Sequence, residues 1–393
     1  MLVLKTATTQ PYNRLINRIN RLPMKGFILI AALLSGNAYA QNIGIGTTDP
    51  APSAKLEVSS TNSGFLLPRM NTLQRNAIPS PVAGLQIYNT DSNSLDIWNG
   101  TGWMSIGSTG VSFTDSWVRR TDLAGVNRQA AIAFTIGNKG YIGAGQGTVP
   151  LGDIWEYDPV TLAWTQKASM GATPRYGAVT FAIGTKAYVG TGFDNQNRND
   201  FWEYNQLTNT WLPVQAFAGT ARRSAVAFAI GNKGYVGTGF DGNYRKDFWE
   251  YDPTSNAWTQ KADFGGAARR YAIGFAIGTK GYIGTGTDLS TNFQDFWEYD
   301  PAGNVWLQKA DVGGGVRFAA AAFVIGGKGY VASGAINAAD LWEYNPLTNA
   351  WVKKADLPVT KGYGVGFAIG YKGYVGTGGS SSPFLKDFWE YTQ

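Results

Sequence analysis

Six basic residues recur along the chain: Arg128, Arg175, Arg222, Arg269, Arg317 and Lys361. Each stands six residues ahead of a phenylalanine (Phe134, Phe181, Phe228, Phe275, Phe323 and Phe367). A guanidinium presents a planar fork of donors that fits a carboxylate. Six bases ringing one channel mouth would make an anion site for a carboxylated sugar or an acidic peptide. Six bases each beside a carboxylate, either the Glu of a Trp-Glu-Tyr triplet or an Asp, would instead lock neighbouring repeats together. A residue present in every repeat serves what every repeat shares, so this ring is assigned to the scaffold, and a binding site is expected where the repeats differ.

The differences cluster. Arg223 and Arg270 add a second base in two adjacent repeats, and Tyr176, Tyr271, Phe318 and Tyr363 place aromatics nearby. Asp194-Asn195-Gln196-Asn197-Arg198 and Asp241-Gly242-Asn243-Tyr244-Arg245-Lys246 concentrate hydrogen-bonding groups. The candidate ligand site is therefore Arg223, Arg270, Tyr271, Tyr176, Tyr363, Asn195, Arg198, Asn243, Tyr244 and Arg245. Amide, guanidinium and aromatic groups together suit sugar or peptide recognition; the competing reading of any one of them is a solvated polar loop. The chain has no cysteine and no histidine. That excludes disulfides, thiol nucleophiles, imidazole bases, His-ligated metals and a lipid-anchored cysteine. Asp194 with Asp200, and Asp241 with Asp247, lack the full ligand spacing of a calcium loop. No catalytic residue, metal or cofactor is expected.

The elements that must position these residues are set by a repeat. Asp247-Phe248-Trp249-Glu250-Tyr251 has counterparts around Glu156, Glu203, Glu298, Glu343 and Glu390, at spacings of 47, 47, 48, 45 and 47 residues. Such a period marks repeated supersecondary units. Each carries four strand-like runs: Ala225 to Ile230, Gly234 to Gly237, the Trp-Glu-Tyr run, and Ala257-Trp258-Thr259-Gln260 after a turn at Asp252-Pro253. Four strands per unit predict an all-β fold, a six-bladed β-propeller over residues 111–393. Alternate first-strand positions are small (Ala225 and Ala227, Ala272 and Gly274, Gly364 and Gly366), which predicts that this strand lines the crowded axis. The first-strand phenylalanines are placed on the same side at its far end. The last unit stops at the Trp-Glu-Tyr run, and Ser116-Trp117-Val118-Arg119-Arg120 matches a fourth strand. The N-terminal strand is thus expected outermost in the closing blade. Variable loops at 146–152, 193–199, 240–246, 287–294, 335–339 and 379–386 define one face as the binding face.

Residues 116–391 resemble kelch repeats: a hydrophobic first strand, glycines after the second, and Tyr-Asp-Pro with a Trp further on, as at Tyr251-Asp252-Pro253 and Trp258. The usual Gly-Gly doublet survives only at Gly378-Gly379; in four other repeats it is Gly-x-Gly, as at Gly237 and Gly239. The resemblance implies the galactose oxidase/kelch-like superfamily. Its copper chemistry is excluded here by the missing cysteine and histidine. It also implies, as the alternative to non-catalytic binding, an enzyme like N-acetylneuraminate epimerase or mutarotase acting on an acidic sugar. A structural cell-surface protein is a further alternative.

Ahead of the repeats, Lys25, the apolar run Phe27 to Leu34 and Ala38-Tyr39-Ala40 predict a secretory signal over residues 1–40, with Met24 as the expected true start. The run is too short to span a bilayer. The protein is expected to be exported, to the periplasm, the cell surface or the medium. Of the formal charge of +6, five positive charges (Lys5, Arg14, Arg18, Arg21 and Lys25) lie in that segment, so the basic balance is no argument for nucleic acid. Residues 41–110 form a β-rich module and linker. With Gly44-Ile45-Gly46-Thr47-Thr48, Gly64-Phe65-Leu66 and Trp98-Asn99-Gly100-Thr101, the module resembles an N-terminal segment of secreted bacterial surface proteins, which implies attachment or assembly. The partner is expected to be a glycan or protein.

Overall fold

In the computed structural model, each repeat is one four-stranded antiparallel sheet. The structure describes residues 2–4, 43–45, 47, 54–91, 94–100, 102–107, 115–335, 339–379 and 383–393. The expected signal segment, Leu2–Leu4 apart, lies outside them. So do residues 108–114, which include the end of the linker, and parts of the loops at 335–339 and 379–386. The chain divides into two compact units, Met1–Val111 and Ser112–Gln393. Among the described residues no helix is long and apolar enough to cross a membrane.

Within the second unit the strands are all five residues long. In the third sheet they are Val226–Ile230, Lys233–Gly237, Phe248–Asp252 and Ala257–Lys261, hydrogen-bonded in that order. Strands this short are set by two-residue turns. Gly231, at φ +57°, takes the first turn position, where a glycine gives the chain reversal that matches strand twist. Sheets I to V repeat this plan. Sheet VI takes Val365–Ile369, Lys372–Gly376 and Phe388–Thr392 from the C-terminus, and Ser116–Arg120 as its outer strand, with Trp117 opposite Tyr391.

The sheets pack in cyclic order through their first strands, Val365–Ile369 lying next to Ile132–Ile136. The small alternate positions of all six first strands line a common cavity of about 170 Å³. The phenylalanines, expected on that axial side, are one residue out of phase with the small pair and point away from the axis. Phe181 lies over Gly234 of the next sheet, where a Cβ would come within 2.2 Å of its ring; Phe367 lies over Gly140 in the same way. The glycine of the second strand is therefore a slot for the preceding sheet's aromatic ring. Further out, each fourth-strand indole donates to a carbonyl of the preceding sheet: Trp211 to Ala168, Trp258 to Gln215, Trp117 to Ala355 and Trp164 to Thr121. Burial between sheets, spread over six such layers, supplies the core.

In the first unit, Gln86–Asn89, Ser94–Trp98 and Trp103–Gly107 form consecutive antiparallel hairpins. A five-residue helix, Thr72–Asn76, is capped reciprocally by Asn71 and Gln74. The buried Asp96 pairs with Arg75 at 2.7 Å. Burial raises its carboxyl, but hydrogen bonds from Ser105, Ser94, Arg75 and Asn89 outweigh this and hold it at about 2.

Candidate functional site

Each first strand is entered through three residues with separate tasks. Sheet III shows them in Arg222-Arg223-Ser224.

The first residue is the recurring base, and it is buried. Arg222 donates Nη1 and Nη2 to the two oxygens of Asp247 at 2.6 and 2.7 Å, and Nη1 also to the Thr238 carbonyl at 2.9 Å. Arg128 holds Asp153, Arg175 holds Asp200, Arg269 holds Asp295 and Arg317 holds Asp340 in the same bidentate way, and Lys361 pairs with Asp387. The Trp two residues after each Asp donates its indole N–H to the same carboxylate, as Trp249 does to Asp247 at 2.8 Å. Burial raises the Asp247 carboxyl, yet the Arg222 hydrogen bonds and charge, with the Trp249 indole, together leave it below the ordinary carboxylate value. The bases thus do not ring the mouth with exposed charge. Their partner is the Asp of their own sheet, not a Glu and not a neighbouring repeat. The Glu of Trp-Glu-Tyr accepts from the second-strand tyrosine instead, as Glu250 does from Tyr235 at 2.6 Å. What joins sheet to sheet here is the backbone of the base: Gly239 N–H donates to the Arg269 carbonyl, Gly192 to Arg222, and Gly378 to Arg128, each at 2.8 Å.

The third residue turns the chain into the strand with a positive φ, 56° at Ser224. These turning residues form a closed cycle of six backbone hydrogen bonds around the axis. Gly177 N–H donates to Ala130, Ser224 to Gly177, Tyr271 to Ser224, Ala319 to Tyr271, Tyr363 to Ala319 and Ala130 to Tyr363, at 2.8 to 3.0 Å. The cycle is regular in backbone and uneven in side chain: small residues on one side, Tyr271 and Tyr363 on the other.

The second residue differs from sheet to sheet, and here the sequence candidates converge. The Arg223 guanidinium lies over Phe193 at 4.3 Å and over Phe240 at 5.2 Å. Arg270 lies over Phe240 at 5.1 Å, Tyr271 at 5.1 Å and Tyr244 at 5.8 Å. Tyr176 packs against Phe193 at 5.5 Å, and Tyr271 meets Tyr363 edge to face at 5.1 Å, with Phe318 beside both. The result is one arc from Tyr176 to Tyr363 in which two guanidinium groups lie among aromatic rings. Burial raises the Tyr363 hydroxyl and the Tyr271 neighbour adds to this, while the Arg270 charge pulls it down; the balance is upward.

Among the described residues of this unit, every other arginine pairs with a carboxylate; Arg223 and Arg270 do not. Among the described residues the only polar side-chain contact of Arg223 is with Asn197 at 3.2 Å, and the Nε of Arg270 is buried without a hydrogen-bond partner. Two half-satisfied cations on aromatic faces can bind an anion and a flat or ring-shaped group side by side.

The remaining candidates separate. Arg198 and Arg245 are tied to Asp194 and Asp241 of their own loops at 2.7 Å, and so brace the loops. Asn195 and Asn243 stand exposed at the loop tips. Phe193 and Phe240 belong to the arc and are absent from the sequence candidates. The signal was available: only the loops of sheets II and III open with Phe-Asp, where sheets I and IV have Gln146 and Thr287. Among the described residues no group of three or more acidic residues is placed to hold a metal ion.

Four-stranded antiparallel sheets set around an axis, with the site at the entry to their first strands, define the class as a β-propeller. Residues 172–334 match the family model described as the KLHDC2/KLHL20/DRC7 Kelch-repeats domain, and residues 44–118 match the phage tail like trimerisation region. A solved structure titled "Structure of YjhT" is similar with a TM-score of 0.58 at 18% identity, covering 70% of this chain and 95% of that one. No curated protein matches the chain.

Proposed function

We propose that the chain is an exported, non-catalytic recognition protein. Residues 112–393 form a six-bladed propeller closed by Ser116–Arg120, and its loop face takes a carboxylate-bearing glycan or protein ligand. The observation that carries this reading is the pair Arg223 and Arg270, which lack the carboxylate partner that every other described arginine of the unit has. A glycan and acidic-peptide screen on residues 41–393, repeated with Arg223→Ala and Arg270→Ala, tests it. Loss of binding in stable variants supports the site, and undiminished binding by both removes it. Turnover of sialic acid anomers, followed by NMR, distinguishes the enzymatic alternative.

Residues 44–118 join three copies of the chain in this reading. Support comes from the matched trimerisation region and from the surface of that unit: Leu66, Leu73, Val82 and Phe65 are 62 to 80% exposed. Apolar side chains left in water on so small a unit mark an interaction surface. Light scattering on residues 41–393 should give three times the chain mass, and Leu73→Asp should reduce it.

A further inference from the structure

A cavity of about 390 Å³ opens between sheets III and IV, lined among others by Thr220, Tyr244, Arg245, Lys246, Asp263 and Ala268. Its size falls within the range of small-molecule sites, roughly 300 to 1,000 Å³. The equivalent position between sheets IV and V is bridged: Gln294, the counterpart of Lys246, donates to Asp311, the counterpart of Asp263, at 3.1 Å. Between sheets II and III, Asn199 reaches the Phe217 carbonyl. Between III and IV, Lys246 and Asp263 make no side-chain hydrogen bond or ion pair with each other or with any other described residue. The Tyr244 hydroxyl is buried without a partner, and Arg245, spent in part on Asp241, remains 38% exposed. Tyr244 also carries Arg270 over its ring at 5.8 Å, so one side chain belongs to both the arc and this cleft.

We propose that this cleft is a second subsite, for a neutral, hydroxyl-rich sugar residue next to the carboxylate held by Arg223 and Arg270. The cleft offers donors of one sign and an acceptor of the other, Lys246 and Arg245 against Asp263, with little net charge. A second anion would meet the Asp263 carboxylate. Vicinal hydroxyls both donate and accept, and so can satisfy the ammonium and the carboxylate at once. The ligand is then an oligosaccharide with an acidic residue at the mouth and a neutral one in the cleft. This rests on the recognition reading above.

Two probes separate the two claims. Methyl β-glucoside, standing for the neutral residue, is titrated alone into residues 41–393. It should shift the amide signals of Tyr244, Lys246 and Asp263 and leave that of Arg223 in place; absence of those shifts overturns the subsite whatever occurs at the mouth. Methyl glucuronide is then compared with a disaccharide of glucuronic acid joined to a neutral hexose. The disaccharide should bind about tenfold tighter, the equivalent of one charge-assisted hydrogen bond. Lys246→Ala and Asp263→Asn should erase that gain and leave the affinity for methyl glucuronide unchanged. A gain that survives both substitutions overturns the subsite. Binding of neither uronate overturns the mouth, which the glucoside titration reads separately.

Discussion

Arg223 and Arg270 hold their guanidinium carbons over the same ring, that of Phe240, at 5.2 and 5.1 Å. They come from consecutive sheets, and Phe240 lies on the loop between the second and third strands of sheet III. One aromatic side chain thus sets the spacing of the two cations left without carboxylate partners. Phe240→Ala should weaken ligand binding about as much as loss of either arginine, by roughly 1–2 kcal/mol for a desolvated cation–π pair and its positioning, at nearly unchanged melting temperature. Titration calorimetry with the best ligand of the screen, beside a thermal melt, checks it.

Arg222 gives the opposite result. It neighbours Arg223 in the chain, but its guanidinium is buried on Asp247 at 2.6 and 2.7 Å. Arg222→Ala leaves a carboxylate with only the Trp249 indole and backbone groups. The expected cost is about 3–5 kcal/mol, read as a lower denaturation midpoint, with ligand affinity retained in the folded fraction. A loss of affinity without a loss of stability would place Arg222 in the site instead.

The contrast between these adjacent arginines marks how far the sequence carries. The period of the Trp-Glu-Tyr run and the orphan strand at Trp117 were enough to order the sheets and to pair Ser116–Arg120 with Phe388–Thr392, because hydrophobic alternation and turn chemistry are local. Arg222 and Arg223 were separable by recurrence, since one has a counterpart in every unit and the other in only one. The Asp partner of Arg222 was not uniquely legible: an Asp stands two residues before each Trp and a Glu one residue after it, and only strand register decides which one faces the base. Phe240 and the cleft at Lys246 depend on how two loops close against each other, which no periodicity encodes.

Tyr157 shows a repeat left incomplete. In sheets II to V the third-strand tyrosine donates to an asparagine in the turn: Tyr204 to Asn209, Tyr251 to Asn256, Tyr299 to Asn304 and Tyr344 to Asn349, at 2.8 to 3.0 Å. Each asparagine also accepts a backbone N–H of the preceding sheet, as Asn209 does from Ala168. In sheet I that position is Leu162, at φ +58°, and the Tyr157 hydroxyl is buried without a partner. Leucine is poorly suited to left-handed backbone, which asparagine tolerates. Leu162→Asn should stabilise the protein by about 1–2 kcal/mol through the new hydrogen bond and the relieved strain, seen as a higher melting temperature. Tyr157→Phe should remove most of that gain in the double variant.

The acid limb of stability follows from the same carboxylates. Asp153, Asp200 and Asp247 have folded pKa values below the ordinary one; burial raises them, and the paired arginines more than offset it. Between the folded and unfolded values the unfolded chain binds more protons, so lowering the pH draws the protein toward the unfolded state. Their contribution is complete above the unfolded carboxylate pKa of about 4 and is lost as pH falls through the folded values. Urea midpoints should therefore be level down to about pH 5 and fall steeply below about pH 4. Asp247→Asn should lower the plateau and flatten that fall. A midpoint that declines on the alkaline side instead would contradict the assignment.

Arg120 and Glu390 join the two ends of the propeller chain. Arg120 donates Nε and Nη2 to the Glu390 carboxylate at 3.1 and 2.8 Å, and Glu390 is 2% exposed and also accepts from Tyr374 at 3.0 Å. Beside this pair, Trp117 packs at a tilt against Tyr391 at 5.1 Å, and Tyr391 donates to Asp115 at 2.6 Å. These contacts, the Trp117 indole bond to the Ala355 carbonyl and one strand pairing hold the outer strand, since no short turn ties it to its neighbour as in the other sheets. Arg120→Ala leaves Glu390 buried with Lys372 as its remaining cation, at an expected cost of about 2–3 kcal/mol. The loss should be local first. Amide exchange should accelerate in Ser116–Arg120 and Phe388–Thr392 before the strands of sheets II to IV respond, because opening the closing strand leaves the other sheets paired. Uniform acceleration through all six sheets would show that the ring opens only as a whole, and that the Arg120–Glu390 pair is not its weakest point.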